Sequence, residues 1–366
     1  MMKLLICRRG WSPTGGAERF LQRFGKGLSV AGIPSILIAD SRWPDDAWHG
    51  DAIERVGSTD PEGFAKEVLE IKNRHPDVLL FSMERLPGAG VFRAGDGLHS
   101  AWLSRLAAEG SALAAGFRRR RKMHRQVLKL EQRLFENPHL RVVANSRMMA
   151  NELVSGFGFT AENIAVIPNG YDSVLLEEGS VRAKRAALRL QLGIPDDAVI
   201  YLFVGSGCKR KGAQILVDAF RKLDHPKAWL ILVGKGRVAR AAHPRIHLAG
   251  AVNDPLDWFV AADVFVLPTL YDPFSNACLE AASYGLPIIT TDANGFQEVL
   301  ETYPDAGQVV HIPRAVEAWT EALKRWLDPT HRTEAKPSLA AIRDHYTVKR
   351  NVDATVDFIQ KSFGSF

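Results

Sequence analysis

The sequence predicts an α/β protein built from two doubly wound, parallel-sheet domains. Three observations predict it. Short, nearly continuous apolar runs such as Val199–Gly205 read as strands buried on both faces. These runs alternate with segments of helical apolar spacing, the order that makes a parallel sheet covered on both sides. The alternation restarts near the middle of a 366-residue chain. That length exceeds the roughly 250–300 residues at which a single core stops growing.

Taken in order, Lys3–Arg8 reads as a buried strand and Gly10–Gly16 as a turn-rich loop. Ala17–Val30 has helical spacing through Phe20, Leu21, Phe24 and Leu28, with Gly32 as its stop. Ser35–Asp40 is a strand, Glu62–Asn73 a helix, and Asp77–Met83 and Val91–Asp96 are strands. Helices over Ser100–Ala108 and Lys122–Phe135 precede strands at Arg141–Ser146 and Ile164–Pro168. The second half begins with a helix over Val181–Leu192, closed by Gly193, and the strand Val199–Gly205. Helix Ala213–Leu223, strands Ala228–Gly234 and Ile246–Gly250, helix Pro255–Ala261 and strand Asp263–Pro268 follow. Helix Asn276–Tyr284, closed by Gly285, leads into strand Pro287–Thr291. The tail is helical over Val316–Leu327, Leu339–His345 and Val352–Phe363. The expected domains are 1–170, completed by a returning helix at 348–366, and 171–347. Ligands of such sheets bind beyond the carboxyl ends of the strands, so a site between two facing domains is the expectation.

Composition narrows the class. Forty-seven Lys and Arg against 41 Asp and Glu leave a formal charge of +6, and 46% of residues are hydrophobic. This is ordinary globular composition and excludes disorder, collagen and a coiled coil as descriptions of the whole. Cys7, Cys208 and Cys278 have neither metal-ligand spacing nor a disulfide framework, which points to a reducing cytoplasm. The apolar run Leu4–Cys7 is broken at once by Arg8 and Arg9, too short for a signal peptide. No run approaches the ~18 residues of a membrane span. The expectation is a soluble protein, or one lying on a membrane surface.

Three segments carry the chemistry of phosphate binding. Gly15-Gly16 lies between a strand and a helix, where backbone can approach a ligand and a helix N-terminus attracts anions; a plain turn is the equal alternative. Gly205-Ser-Gly-Cys-Lys-Arg-Lys-Gly212 leaves a buried strand and enters a helix, with Lys209, Arg210 and Lys211 supplying charge for a diphosphate. It lacks the P-loop spacing. In Pro268–Glu280, Ser275 and Asn276 are good N-caps, and the free amides behind them can hold phosphate oxygens. Asp272 and Glu280 can bracket a ligand, one at its reacting end and one at a distant hydroxyl pair; separately, each reads as a turn or surface carboxylate.

With Ile167-Pro-Asn-Gly-Tyr-Asp172 and Gly285-Leu-Pro287, these segments resemble the retaining, nucleotide-sugar-dependent glycosyltransferases of the GT-B fold, the group 1 class. The resemblance covers essentially the whole chain. It implies that Arg210 and Lys211 hold the donor diphosphate and Glu280 the ribose hydroxyls. It implies that Asp272 and the backbone of Phe274, Ser275 and Asn276 contact the transferred sugar and phosphates. Gly15 and Gly16 would close on the diphosphate from the other domain. Asp272 stands where the family usually has Glu, one methylene longer.

Arg93-Ala-Gly-Asp-Gly-Leu-His99 follows a strand on the side that the resemblance assigns to the acceptor. Asp96 can accept or orient the acceptor hydroxyl. His99 either acts on the sugar or is a helix N-terminal residue with a satisfied ring. This segment resembles the subgroup that adds glucose to an inner-core heptose of lipopolysaccharide. The basic run Phe117–Arg125, continued through Arg133, carries an apolar side at Leu128, Leu130, Leu134 and Phe135. It suits an anionic inner-membrane surface or a phosphorylated glycolipid. Nucleic acid is the rival, but no nucleic-acid motif accompanies the run.

The resulting expectation is a cytoplasmic, membrane-peripheral hexosyltransferase that uses UDP-glucose as a substrate. It needs no cofactor and, having no Asp-x-Asp motif, no metal. The alternatives are a nucleotide-sugar 2-epimerase on the same fold and a non-catalytic protein that binds anionic lipid or nucleic acid.

Overall fold

The computed structural model describes residues 2–13, 15–109, 122–174 and 177–364. The chain forms two compact units, Met1–Asn169 with Val348–Phe366, and Gly170–Thr347.

The first unit holds a seven-stranded sheet in the order β3-β2-β1-β4-β5-β6-β7. Its strands are β1 Leu4–Arg8, β2 Ser35–Asp40, β3 Ala52–Val56, β4 Leu79–Ser82, β5 Val91–Ala94, β6 Arg141–Ala144 and β7 Ile164–Val166. All neighbours pair in parallel; Leu5, for example, stands opposite both Ile36 and Leu80. Leu4, Leu5, Ile6 and Cys7 are fully buried, as a central strand covered on both faces must be. Strand β3 escapes the sequence reading because Ala-Ile-Glu-Arg-Val sits at the sheet edge and buries only Val56. The helix Arg147–Phe157 also escapes it. Ser146 caps that helix by accepting from the Met149 amide, and Gly158 ends it at φ 60°. The last helix, Val348–Phe363, packs on the helix Gly16–Val30 and buries Val352 and Ile359 in the same cluster as Phe24 and Leu28.

The second unit holds a six-stranded parallel sheet in the order β10-β9-β8-β11-β12-β13. Its strands are β8 Val199–Val204, β9 Ala228–Val233, β10 Ile246–Gly250, β11 Val264–Leu267, β12 Ile288–Thr291 and β13 Gly307–Val310. Strand β13 is a half-exposed edge strand, and its Gly-Gln-Val-Val carries little apolar pattern. Arg189, 2% exposed, bonds Asp263 at 2.7 Å and the carbonyls of Pro195, Asp196 and Ala198 just before β8, which anchors the helix Glu178–Leu192.

In each sheet the strand order reverses at one place, between β1 and β4 in the first unit and between β8 and β11 in the second. Beyond the carboxyl ends of the strands at such a reversal, the loops diverge and leave a crevice.

Candidate functional site

In the second unit the loops after β8 and β11 meet at this reversal. The Gly205–Gly212 loop is wound tightly: the Lys211 amide donates to the Gly207 carbonyl at 3.1 Å and Ala213 to Cys208 at 2.9 Å. Gly212 has φ 73°, and a Cβ there would overlap the Pro268 carbonyl oxygen. Glycine therefore supplies both the left-handed turn and the close approach of the two loops.

Contacts then bind the loops together. The Leu270 amide donates to the Arg210 carbonyl at 2.8 Å, and the Arg210 guanidinium donates to the Tyr271 carbonyl at 2.8 Å. Lys211 forms an ion pair with Asp272, both side chains being largely buried. Asp272 is held from the other side, its amide donating to Ala293 and its carbonyl accepting from Gly295, each at 2.9 Å. A cation and a carboxylate are thus fixed side by side at the strand ends.

Asn294 is the clamp that sequence reasoning missed. Fully buried, it accepts from the amides of Ser275 at 3.2 Å and Phe296 at 3.1 Å, and donates to Thr290 Oγ1 at 2.9 Å. One polar residue just past an apolar strand was the available signal. Ser275 caps the helix Asn276–Ser283 by accepting from the Cys278 amide, so Asn276 opens the helix. Phe274 turns its ring into the core against Phe296, with centroids 5.6 Å apart, and offers the site only backbone. Glu280 lies one turn further along and is 5% exposed. Burial pushes the Cys278 thiol up to about 12, so it stays protonated and unreactive at neutral pH. The second unit therefore gathers Arg210, Lys211, Asp272, Ser275 and Asn276 around two touching loops, with Glu280 on the helix that leaves them.

The first unit places Gly15, Gly16, Asp96 and His99 beyond its own strand ends. Gly15 precedes the helix Gly16–Val30, and a Cβ there would stand 2.7 Å from the Glu18 carboxyl carbon. The backbone there has an ordinary φ of −76°, and the neighbour is the end of a flexible side chain, so the packing favours glycine without requiring it. Glu18 in turn pairs with Arg8, the last residue of β1, at 3.2 Å. Arg8 also pairs with Asp96 at 2.7 Å and Glu84 at 3.4 Å. Burial acts to raise the Asp96 carboxyl, but Arg8, joined by Arg85 and Arg93, outweighs it and holds the carboxyl below its ordinary value. Asp96 is thus an ionised hydrogen-bond acceptor and a weak base.

His99 begins the helix His99–Glu109. Its Nε2 lies 2.9 Å from His124 Nδ1, with the rings stacked. Burial, with the Arg85 cation nearby, pushes the ring down to about 4, so it is neutral at physiological pH. The helix start is capped from outside: Glu131, 1% exposed, accepts from the amides of His99 at 2.7 Å and Ser100 at 2.9 Å, and from Arg85 Nε at 2.7 Å. Arg93, 3% exposed, donates to Asn169 and lies 3.4 Å over the Phe20 ring; burial pushes it down to about 9. Arg8, Glu84 and Glu131 were given no site role by the sequence reading, because pairs such as Arg8–Glu84 and Arg85–Glu131 leave no local pattern.

Arg118 to Arg121 of the basic run lie outside the described residues. Its continuation is the helix Lys122–Phe135, which buries Leu130, Leu134 and Phe135 and exposes Lys122, Arg125, Lys129 and Arg133. Among the described residues, no three His, Cys, Asp or Glu side chains are gathered so as to hold a metal ion, and no helix is long and apolar enough to cross a membrane.

Residues 198–329 match the family model for glycosyl transferases group 1, and residues 14–174 match that for glycosyltransferase family 4. Both units thus carry a match to a glycosyltransferase domain model, the second as group 1, and the chain has the GT-B type of fold. Its particular relatives are glycosyltransferases as well. It is 29% identical to the D-inositol 3-phosphate glycosyltransferase of Kineococcus radiotolerans over 56% of this chain and 52% of that one. It is 29% identical to the lipopolysaccharide core biosynthesis glycosyltransferase LpsE of Rhizobium meliloti over 35% of this chain and 42% of that one. The chain spans about half the length of the curated relatives it matches. Among solved structures, WaaG, a glycosyltransferase involved in lipopolysaccharide biosynthesis, superposes with a TM-score of 0.80 at 18% identity, covering 97% of this chain and 99% of WaaG. Alr3699/HepE of Anabaena, solved with UDP-glucose, gives 0.72 at 19% identity, covering 99% and 100%. At these identities the structural likeness establishes the fold.

Proposed function

We propose that this protein is a retaining glycosyltransferase that moves glucose from UDP-glucose to a sugar of the lipopolysaccharide core. The observation that carries the reading is the Lys211–Asp272 pair, held with Arg210 where the loops after β8 and β11 meet. As the bond from the anomeric carbon to the diphosphate breaks, negative charge grows on the leaving oxygen. A preorganised cation placed there lowers the barrier. Lys211 and Arg210 carry that charge in our reading, and no metal is assigned to it. Asp272 faces the transferred sugar, Ser275 and Asn276 offer helix-start amides to the phosphates, and Glu280 takes the ribose hydroxyls.

The acceptor oxygen forms the new bond on the face that the diphosphate leaves, and its proton passes to the departing diphosphate. Asp96, ionised and weakly basic, orients the acceptor hydroxyl, and neutral His99 supports it. UDP-glucose as donor is supported by the fold shared with Alr3699/HepE, which is solved with that molecule. The core acceptor is supported by the likeness to LpsE and WaaG. A phosphorylated inositol is the second reading, favoured by the longer overlap with the inositol 3-phosphate enzymes. The exposed cations Lys122, Arg125, Lys129 and Arg133 support docking on the anionic cytoplasmic face of a membrane.

The test is glucose transfer from UDP-glucose to truncated core oligosaccharide or to D-inositol 3-phosphate. Transfer to the first is expected; transfer only to the second selects the second reading, and transfer to neither rejects both.

A further inference from the structure

The first unit has its own crevice at the β1–β4 reversal, and we propose that it seats an anionic sugar residue of the acceptor, phosphorylated or carboxylated. The proposal rests on the glycosyltransferase reading above and adds the chemical class of its acceptor. The crevice is a shallow, open cleft between the helices Pro61–Arg74 and Lys122–Phe135. Its floor is apolar, made by buried Phe64, Leu86 and Leu130. Its rim carries Arg9, from the loop after β1, with Glu84 and Arg85 from the loop after β4.

An inventory of the rim decides the ligand. Glu84 turns one oxygen to the Arg9 amide at 3.1 Å and to Arg8 at 3.4 Å, and the other toward Arg9 Nε at 3.9 Å. Both oxygens of Glu131 are taken by Arg85 and two helix amides. Arg85 spends Nη2 on the Gly97 carbonyl, and Arg9 spends Nη1 on the Thr59 carbonyl at 2.9 Å. What stays uncommitted on the two arginines, among the described residues, is N–H alone: Nη2 of Arg9 and Nη1 of Arg85, with the buried Nε of Arg9 also lacking a hydrogen-bond partner.

Guanidinium N–H groups recognise oxygens that only accept, those of phosphate and carboxylate. A neutral sugar brings hydroxyl donors, and the rim's carboxylates are already engaged by cations and amides. The apolar floor fits the C–H face of a sugar ring laid across an open cleft. Anion and ring together specify an anionic sugar.

The test is isothermal titration calorimetry of the full chain saturated with UDP, using mannose 6-phosphate, glucuronate, mannose and inorganic phosphate as probes. At least one anionic sugar is expected to bind tenfold or more tightly than mannose and than inorganic phosphate. Which of the two binds tells a phosphate from a carboxylate. Arg9→Gln should weaken that binding about tenfold, and so should Ala65→Trp, which fills the cleft without changing its charge. Lys222→Ala, which removes an exposed cation of the second unit away from both sites, should leave it unchanged. Equal binding of mannose and the anionic sugars overturns the proposal, as does anionic binding that survives both Arg9→Gln and Ala65→Trp. Inorganic phosphate binding as tightly as the sugars overturns the ring's share. UDP failing to bind counts against the donor reading alone, because the Arg9→Gln and Lys222→Ala comparison still locates the anion.

Discussion

Gly212→Ala perturbs the contact on which the second unit's site depends. The residue sits at φ 73°, where an L side chain costs about 1–2 kcal/mol. Its Cβ would also lie 2.7 Å from the Pro268 carbonyl carbon, which is backbone and has to move. Overpacking of this kind costs about 1–3 kcal/mol. The reduced freedom of the unfolded chain returns about 0.4–1 kcal/mol. The net loss is about 3 kcal/mol, which for a unit of this size lowers Tm by roughly 6–12 °C. Gly193 provides the control: it has φ 64° in the same unit, with no atom within 4 Å of its would-be Cβ. Gly193→Ala should lose only the conformational part, about 1 kcal/mol. Thermal denaturation of both variants, with and without UDP, separates overlap from backbone strain. The β8 loop in Gly212→Ala should also part from the β11 loop and lose UDP stabilisation. Equal Tm for the two variants, with equal gains from UDP, would refute the loop-contact argument.

Lys211→Met strands the Asp272 carboxylate in a largely buried position, and about 3 kcal/mol of stability should go with it; chemical denaturation should show Lys211→Met/Asp272→Leu recovering most of that loss. His99 has its folded value pushed down to about 4 from an ordinary 6.5, so the unfolded chain takes up a proton that the folded chain refuses. Stability should therefore fall as pH drops from about 6.5 to about 4 and be flat above that window, and urea melts of His99→Asn should show a shallower slope there. Neutralising Arg125, Lys129 and Arg133 together should weaken binding to anionic vesicles several-fold in a sedimentation assay, with most of the loss confined to low salt.

The strands with strong apolar runs were legible from the sequence alone. Val199–Gly205 differs from β8 by one residue, and Lys122–Phe135 coincides with the observed helix. Strands β3 and β13 were not legible, because edge strands are half exposed and need no continuous apolar run. The short helix Gln297–Thr302 was missed for lack of a cap and of enough turns to show a period.

At the site, the legible part is what lies in one stretch of chain: the glycine-rich basic loop and the segment from Asp272 to Glu280. The rest is tertiary. Asn294 clamps two loops, and Glu131 caps a helix that begins 32 residues before it. Arg8 gathers carboxylates from positions 18, 84 and 96. None of these pairings has a spacing rule, since the partners meet only after the strands have set their register. Gly15 illustrates the opposite limit. The glycine is plain in the sequence, but only the fold shows the Glu18 carboxylate beside it.

The central claim is that the touching loops after β8 and β11 bind the diphosphate of a nucleotide sugar. Calorimetric titration of the full chain with UDP-glucose, in EDTA, tests it most directly when run on wild type, Lys211→Ala and Glu280→Ala, with CD to verify folding. The account predicts one saturable site in wild type, weakened at least tenfold in each variant. A folded wild-type protein that takes up no UDP-glucose, or variants that bind it as tightly as wild type, would contradict it.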